Sequence, residues 1–356
     1  MVKLSALISL IVIWKCRGQR SVMGIYHILQ GKKSAQTIQD VHLFKVRRFF
    51  GILSFLSKQQ FEVLTTTLIN EGYIIENDNE TIIVTTKGKE WIEQEQKNRP
   101  FLADYHGWTY YQIDRLFWLR LILFSQSLTS LKNKASFIPV VSDWAVQSFV
   151  KKRLISLKQP LDNTLQQLYQ ELLAILKVCS KEQASLFVLQ ITSAEKIGYT
   201  INQAAEILLI DREDAKLLHL ATLHKVLTVL TEQSESSRFP LLASLIADQN
   251  QDNHLTSSTK KTKEWLEMGF TIDEISKRRQ LKITTIQDHI VELAHIEKDF
   301  SVQAFINQQS WNLINEAINE TASIKLKEIK RKLPETIDYF MIRLVLARRE
   351  REHEFS

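Results

Sequence analysis

The stretch that decides the fold of this chain is residues 259–296, TKKTKEWLEMGFTIDEISKRRQLKITTIQDHIVELAHI. Thr271 and Glu274 have the spacing of a capping box, which predicts that a helix begins there. A short turn follows, and the helix after it carries its apolar residues three or four positions apart: Ile286, Ile290 and Leu293. Two helices joined by such a turn are typical of a helix-turn-helix unit, whose second helix can read DNA.

The exposed face predicted for this second helix supplies candidate DNA contacts. Thr and Gln side chains can contact base edges, and Lys and Arg can pair with phosphates. The candidates are Arg279, Lys282, Thr284, Thr285, Gln287 and His289. Lys282 stands where a capping serine is usual, so the cap is weaker while positive charge is added. The alternative is that this face binds a protein, because Asp288 lies on it and residues 256–356 carry 17 basic against 16 acidic residues.

The positive charge of the chain is concentrated at its N-terminal end. The chain has a net charge of +6, yet its first 51 residues hold nine Lys and Arg residues against one acidic residue, Asp40. Such a density is typical of a surface that neutralises phosphates, although a solvated face would have the same composition.

A second helix-turn-helix pattern lies in this basic region, in residues 21–44, SVMGIYHILQGKKSAQTIQDVHLF. Gly31 is predicted to end the first helix and Ser34 to cap the second. We expect the second helix to direct Gln36, Thr37, Gln39 and Asp40 outward and Ile38, Val41 and Phe44 inward. The candidate DNA contacts here are Lys32, Lys33, Gln36, Thr37, Arg47 and Arg48.

Residues 58–88 have the pattern of a winged helix. A helix is predicted to end at Gly72, and YIIENDNETIIVTTKG follows at residues 73–88. Its two β-branched or aromatic runs, separated by Asn and Asp, predict a β-hairpin. Lys87 is a candidate DNA contact on this wing, although wings also bind proteins.

The composition predicts a mainly α protein, because the chain has only nine Gly and five Pro in 356 residues. We expect several helix-turn-helix or winged-helix units with one small β-hairpin wing around a helical middle region. Polar separators, a linker at residues 93–100 and a polar run at residues 247–262, predict three domains at residues 1–98, 101–250 and 256–356. The C-terminal module is expected to fold alone. Residues 198–220 repeat the helical pattern, but the acidic start of their second helix favours a core role.

Enzyme motifs are absent from the sequence. It contains no phosphate-binding G-x-x-x-x-G-K-[ST] loop and no metal-ligand spacing of His and Cys, so we predict no enzymatic activity, cofactor or small-molecule substrate. Asp78 with Glu95 and Lys97 could serve a metal-dependent nuclease. That interpretation is disfavoured, because Asp78 is expected in the wing turn and Glu95 in a polar linker.

The N-terminal apolar run is short. Residues 4–14, LSALISLIVIW, would span about half of a bilayer core as a helix, and Lys15, Cys16 and Arg17 follow where a signal peptide would have small residues. We therefore predict a buried first helix and no membrane association. Two cysteines are too few for a disulfide framework, which fits a cytoplasmic protein.

The C-terminal stretch, about residues 259–351, resembles the helix-turn-helix module that follows the motor core of many bacterial RecQ-type helicases. The residues that carry the resemblance are TIDEIS at 271–276, Thr284, Thr285, Ile286, His289, LPE at 333–335 and IRLVLA at 342–347. With IYHILQGKKS at 25–34 and QTIQD at 36–40, the whole chain resembles the YpbB family.

This resemblance implies a non-catalytic DNA-binding accessory protein that acts with a RecQ-like helicase in DNA repair or recombination. The alternative is a helix-turn-helix transcriptional regulator built from the same units. A regulator usually dimerises to recognise a palindrome, and the sequence contains no coiled-coil heptads, which favours the accessory protein.

Overall fold

The computed structural model describes residues 3–77, 81–232, 237–249, 255–297, 299–321 and 325–352, except the side chains of residues 350–352. The chain is mainly α-helical and has one two-stranded antiparallel hairpin in its described part. Its contacts form two compact units. Unit 1 is Met1–Ile8 with Trp91–Asp252, and unit 2 is Ser9–Glu90 with Asn253–Ser356.

The N-terminal half of unit 2 begins within the first helix and ends within the fifth. Its helices are α1 (Leu4–Cys16), α2 (Val22–Gln30), α3 (Ala35–Leu43), α4 (Lys58–Asn70) and α5 (Thr86–Asn98), and its strands are β1 (Ile74–Glu76) and β2 (Ile82–Val84). β1 and β2 pair with Ile75 opposite Ile83, as the winged-helix pattern predicts. α1 is buried except near its C-terminal end, where Trp14 is 38% exposed.

In the C-terminal half of unit 2, the described residues form the helices α14 (Ser257–Glu267), α15 (Ile272–Arg279), α16 (Ile283–Ile296), α17 (Gln308–Glu320), α18 (Leu326–Lys330) and α19 (Tyr339–Glu352). Their core contains Ile286, Ile290, Ile314 and Leu344, and Leu43 of α3 packs against it. α3 lies on α16 and α19, so residues from both ends of the chain share one core.

Unit 1 contains the helical middle region. Its helices are α6 (Gly107–Tyr110), α7 (Ile113–Lys132), α8 (Trp144–Ile155), α9 (Leu161–Leu176), α10 (Lys181–Leu189), α11 (Ile201–Leu208), α12 (Arg212–Thr231) and α13 (Pro240–Ser244). Phe117, Phe124 and Ile175 are among its core residues. The acidic start of α12 has structural roles, because Asp211 caps the helix and Asp214 accepts the Leu4 backbone N–H at 2.9 Å.

Two expectations about the separators need correction. The predicted linker at residues 93–100 is mostly helical, because α5 continues to Asn98 and a 3-10 turn follows at Pro100–Asp104. α14 begins at Ser257, inside the polar run at residues 247–262. The three consecutive domains stay a prediction about independent folding, while the contacts join residues 9–90 to residues 253–356 in one unit.

Within the described residues, no helix combines the length and the apolar character needed to cross a bilayer. The same residues contain no group of three His, Cys, Asp or Glu side chains arranged to hold a metal ion.

Candidate nucleic-acid interface

α15 and α16 form the helix-turn-helix unit that the sequence predicts. The Thr271–Glu274 capping box is present at the start of α15, and Gln280 ends that helix in a left-handed conformation with φ of 52°. Lys282 is the N-cap of α16 and makes no side-chain capping hydrogen bond, as its residue type predicts. The turn therefore places an uncapped, positively charged helix start beside the end of α15.

Exposure changes sharply along α16. Lys282, Ile283 and Thr284 are exposed, and Thr285 and Gln287 are half-buried. From His289 to His295 every side chain of α16 is buried. Only the first turns of α16 are therefore accessible, and these are the part of a recognition helix that contacts base edges.

His289 was expected on the exposed face, and this prediction is wrong. Its side chain is 7% exposed, and its Nδ1 lies 2.7 Å from the Thr262 hydroxyl of α14. Burial, and next the charge of Arg279, lower the pKa of His289 to about 4, while Asp288 acts in the opposite direction. His289 is therefore neutral near pH 7 and holds α14 against α16.

Arg279 was expected to reach phosphate, but the structure gives its guanidinium intramolecular partners. Nη1 donates to the Ser258 carbonyl at 2.9 Å and also to the Thr262 hydroxyl, and Nη2 donates to the Ser258 hydroxyl at 3.0 Å. Burial lowers the pKa of Arg279. This side chain positions α14 beside α15 rather than projecting toward a ligand.

A buried carboxylate holds the start of α14. Glu292 of α16 accepts the Thr256 backbone N–H at 2.6 Å and the Thr259 hydroxyl at 2.7 Å. Burial raises the pKa of Glu292, although these hydrogen bonds and the charge of Lys33 oppose the shift. Lys33 therefore lies near α16, and the turn before α3 borders the C-terminal module within unit 2.

α3 was expected to present polar side chains outward, and this prediction is wrong for all of them except Gln36. Thr37, Gln39 and Asp40 are buried, because this face of α3 packs in unit 2 against α16 and α19. Ser34 caps α3 as predicted, with the Thr37 N–H 3.3 Å from its hydroxyl. α3 has the local form of a recognition helix but cannot enter a groove with its buried face.

The buried Gln39 and Asp40 side chains of α3 have hydrogen-bond partners. Arg343 of α19 donates through Nε to Gln39 at 3.0 Å and through Nη1 to Asp288 of α16 at 2.5 Å. One guanidinium therefore links the three helices. Asp288, which was expected to oppose phosphate, has this cation as a partner.

The remaining candidates of the N-terminal half differ in exposure. Lys32, Lys33, Gln36, Arg48 and Lys87 are exposed, and Arg47 is half-buried in a 3-10 turn. Lys87 donates to the Glu71 carbonyl at 2.6 Å and lies over the Tyr73 ring, so it supports the end of α4.

The residues of the disfavoured nuclease interpretation do not form a described site. Asp78 lies outside the described residues. Glu95 is on α5, where Arg99 donates to it at 2.7 Å.

The sequence analysis missed two cations next to the turn. Lys277 and Arg278 are exposed in the last turn of α15, and Arg279 separates them from Gln280. Arg278 also lies 4.4 Å from the centroid of the Phe270 ring. Their position before the turn could have identified them, because the helix that precedes a recognition helix crosses the DNA backbone.

The comparisons with known proteins agree with this geometry. A family described as a helix-turn-helix domain matches residues 258–346. The chain is 31% identical over 342 residues to Protein YpbB of Bacillus subtilis (strain 168), which covers 96% of each sequence. No solved structure matches. A helix-turn-helix domain at this position indicates DNA binding.

Proposed function

Because the chain belongs to the YpbB family, we propose that it is a non-catalytic DNA-binding accessory protein that works with a RecQ-like helicase in the cytoplasm during DNA repair or recombination. The observation that carries the DNA-binding part is the exposed first turn of α16. It places Lys282 and Thr284 at an accessible helix start, with Lys277 and Arg278 beside it on α15.

This surface combines two kinds of contact that DNA recognition uses. Thr284 and Gln287 are short polar side chains suited to base edges, and the cations are suited to phosphates. The N-terminus of α16 adds the positive end of a helix dipole, which favours a phosphate. The buried remainder of α16 fixes the direction of this first turn.

Lys282→Ser tests the DNA contact and keeps it separate from folding. Serine is a good N-cap, so this variant should raise the free energy of unfolding by about 1 kcal/mol. It also removes one cation from the interface, so the slope of log K against log salt for a fluorescent duplex should fall by about 1.

Lys325→Ser is the matched control. Lys325 is the N-cap of α18 and makes no capping hydrogen bond, so the change in charge and cap type is the same. We expect its DNA affinity and salt slope to equal those of the wild type. Equal slopes for K282S and K325S would place the DNA contact elsewhere.

The partnership with a helicase rests on the resemblance of the C-terminal module to the one in RecQ-type helicases, together with the absence of a phosphate-binding loop from this sequence. Purified protein should form a complex with a RecQ-like helicase of the same organism during size-exclusion chromatography, and it should hydrolyse neither ATP nor DNA alone. Separate elution at micromolar concentration would contradict the partnership. If K282S lost the helicase while keeping its DNA affinity, this face would belong to the partner.

A further inference from the structure

A positive surface of unit 2 outside the helix-turn-helix module lies where α1 and α3 end. Its cations are Lys15, Arg17, Lys45 and Arg48, a set that we call the end cluster. Arg17, Lys45 and Arg48 are exposed, and Lys15 is half-buried. Burial, and next the charges of Arg48, Lys45 and Arg17, lower the pKa of Lys15, so each of these three cations lies close enough to Lys15 to repel its charge.

A neighbouring ion pair brings these two helix ends together. Arg20, in the loop after α1, binds Asp40 of α3 through Nε at 2.7 Å and Nη2 at 2.5 Å. The same guanidinium lies 4.9 Å from the centroid of the Phe44 ring, next to Lys45. The loop that contains Arg17 is thus held against the C-terminal end of α3, which Lys45 follows.

Because Asp40 pairs with Arg20, its carboxylate does not neutralise the end cluster. Asp40 is the one acidic residue in the first 51 positions, and it accepts hydrogen bonds from both Arg20 and Gln36. Among the residues that the structure describes, no Asp or Glu lies within salt-bridge distance of the four cations of the end cluster. An external anion is the partner that such a group lacks.

Two of the four cations occupy backbone positions that favour glycine. Arg17 has φ of 50° and Lys45 has φ of 52°, in the left-handed region that most side chains avoid. Each position follows the last turn of a helix, where glycine is the usual residue and where a cation also interacts favourably with the helix dipole. That dipole is the simpler explanation for each cation alone, but it does not explain why four cluster without a carboxylate.

An exposed aromatic residue directly precedes the end cluster along α1. Trp14 is in the last turn of α1, directly before Lys15, and its carbonyl accepts the Arg17 backbone N–H at 3.1 Å. Its side chain is 38% exposed. Cations beside an exposed aromatic ring are the arrangement by which proteins hold single-stranded nucleic acid, through phosphate pairing and base stacking.

We propose that the end cluster is a second DNA contact, in which Lys15, Arg17, Lys45 and Arg48 hold the phosphates of a single strand and Trp14 stacks on an unpaired base. This inference rests on the proposed DNA-binding function and specifies a second substrate, a DNA strand leaving a duplex. A protein that binds duplex at α16 and single strand at the end cluster recognises a junction between the two.

The double variant Arg17→Gly with Lys45→Gly tests the charges. Glycine is the residue best suited to both backbone conformations, so the thermal midpoint should change little while two cations are lost. Binding of a fluorescent single-stranded oligonucleotide should weaken, and its salt slope should fall by about 1.4. Binding of a blunt duplex should be unchanged.

Lys134→Gly is the control for the loss of one cation at a left-handed backbone position, and it matches the Lys45→Gly half of the double variant. Lys134 is exposed, has φ of 51° and follows the end of α7 in unit 1. We expect its single-strand affinity to match the wild type. An unchanged single-strand salt slope in the double glycine variant would overturn the end cluster as a DNA contact.

Two single variants, Trp14→Leu and Trp14→Phe, test stacking. Leucine keeps apolar bulk without a ring, so single-strand affinity should fall by roughly 5- to 150-fold, and phenylalanine should restore most of it. Equal affinities for the two variants would exclude stacking.

If K282S loses duplex binding while all end-cluster variants keep single-strand binding, the second contact fails and the proposed function stands. If the wild type binds neither DNA at low salt, both proposals fail.

Discussion

α3 and α16 both follow a short turn in a helix-turn-helix pattern, but the rest of unit 2 buries them to different extents. Ser34 caps α3, whereas Lys282 leaves α16 uncapped. α3 is buried along the face that carries Thr37, Gln39 and Asp40, whereas the first turn of α16 is exposed. The helix with the better local signal is thus the less accessible one.

The difference arises because long-range packing decides which polar residues face solvent. Buried polar side chains are tolerated when they have hydrogen-bond partners. Gln39 and Asp40 have such partners in Arg343 and Arg20, which lie 304 and 20 positions away along the chain. Short polar residues on a helix therefore identify a recognition helix only when no other part of the protein supplies hydrogen-bond partners that would allow this face to be buried.

The largest expected effect is on the pH dependence of stability, and it concerns His289, where the buried part of α16 begins. The folded-state pKa of His289 is about 4 against an ordinary value of 6.5, so the unfolded chain binds more protons between these values. Stability should therefore fall as the pH falls from 6.5 toward 4, by at most about 3 kcal/mol for this side chain. Glu292 works in the opposite direction, because its raised pKa favours the folded state at low pH.

His289→Asn should reduce this acid sensitivity in urea denaturation series at successive pH values. His219→Asn is the matched variant in unit 1, because burial also lowers the pKa of His219 to about 4. If neither variant loses acid sensitivity, these histidines are protonated in the folded protein.

Removal of the arginine that joins α3 to α16 and α19 should have the next largest effect. Arg343→Met leaves the buried Gln39 amide and the Asp288 carboxylate without their shared donor. Because Asp288 is partly exposed, we expect a loss of about 2 kcal/mol in the free energy of unfolding. Arg331→Met, at an exposed position in the same half of unit 2, should change it by less than about 0.5 kcal/mol. If R343M and R331M changed the free energy of unfolding equally, Arg343 would not be a stabilising link between α3, α16 and α19.

The smallest expected effect concerns the turn before α3. Lys32→Ala with Lys33→Ala should lower the salt slope for duplex binding by roughly 1 to 2 if both side chains touch phosphate. Lys33 lies near Lys260 and Glu292, so its contribution should be the smaller one. An unchanged slope would show that this turn does not touch DNA.

The elements of unit 2 were predictable because they depend on local signals. Gly31, Ser34 and the Thr271–Glu274 box act within one helical turn, and the structure has each of them in its predicted role. The burial of Gln39 and His289 was not predictable, since it depends on Arg343 and Thr262 in other helices. The absence of a cap at Lys282 was evident from its residue type, whereas the pairing of Arg279 with Ser258 required the structure.

The central claim is that DNA meets α16 and not α3, and one pair of variants tests it most directly. Thr284 and Gln36 are both exposed, and each is the second residue of its helix. A glutamate in the first turn of a helix suits the helix dipole but repels phosphate. Gln36→Glu also replaces the donor to Asp40 with a like charge, so thermal melts should show that both Thr284→Glu and Gln36→Glu fold, with the lower midpoint in Q36E. The account predicts that duplex affinity, measured by fluorescence anisotropy, falls at least tenfold (about 1.4 kcal/mol) in T284E and stays near the wild-type value in Q36E. Strong loss in Q36E with wild-type affinity in T284E would contradict it.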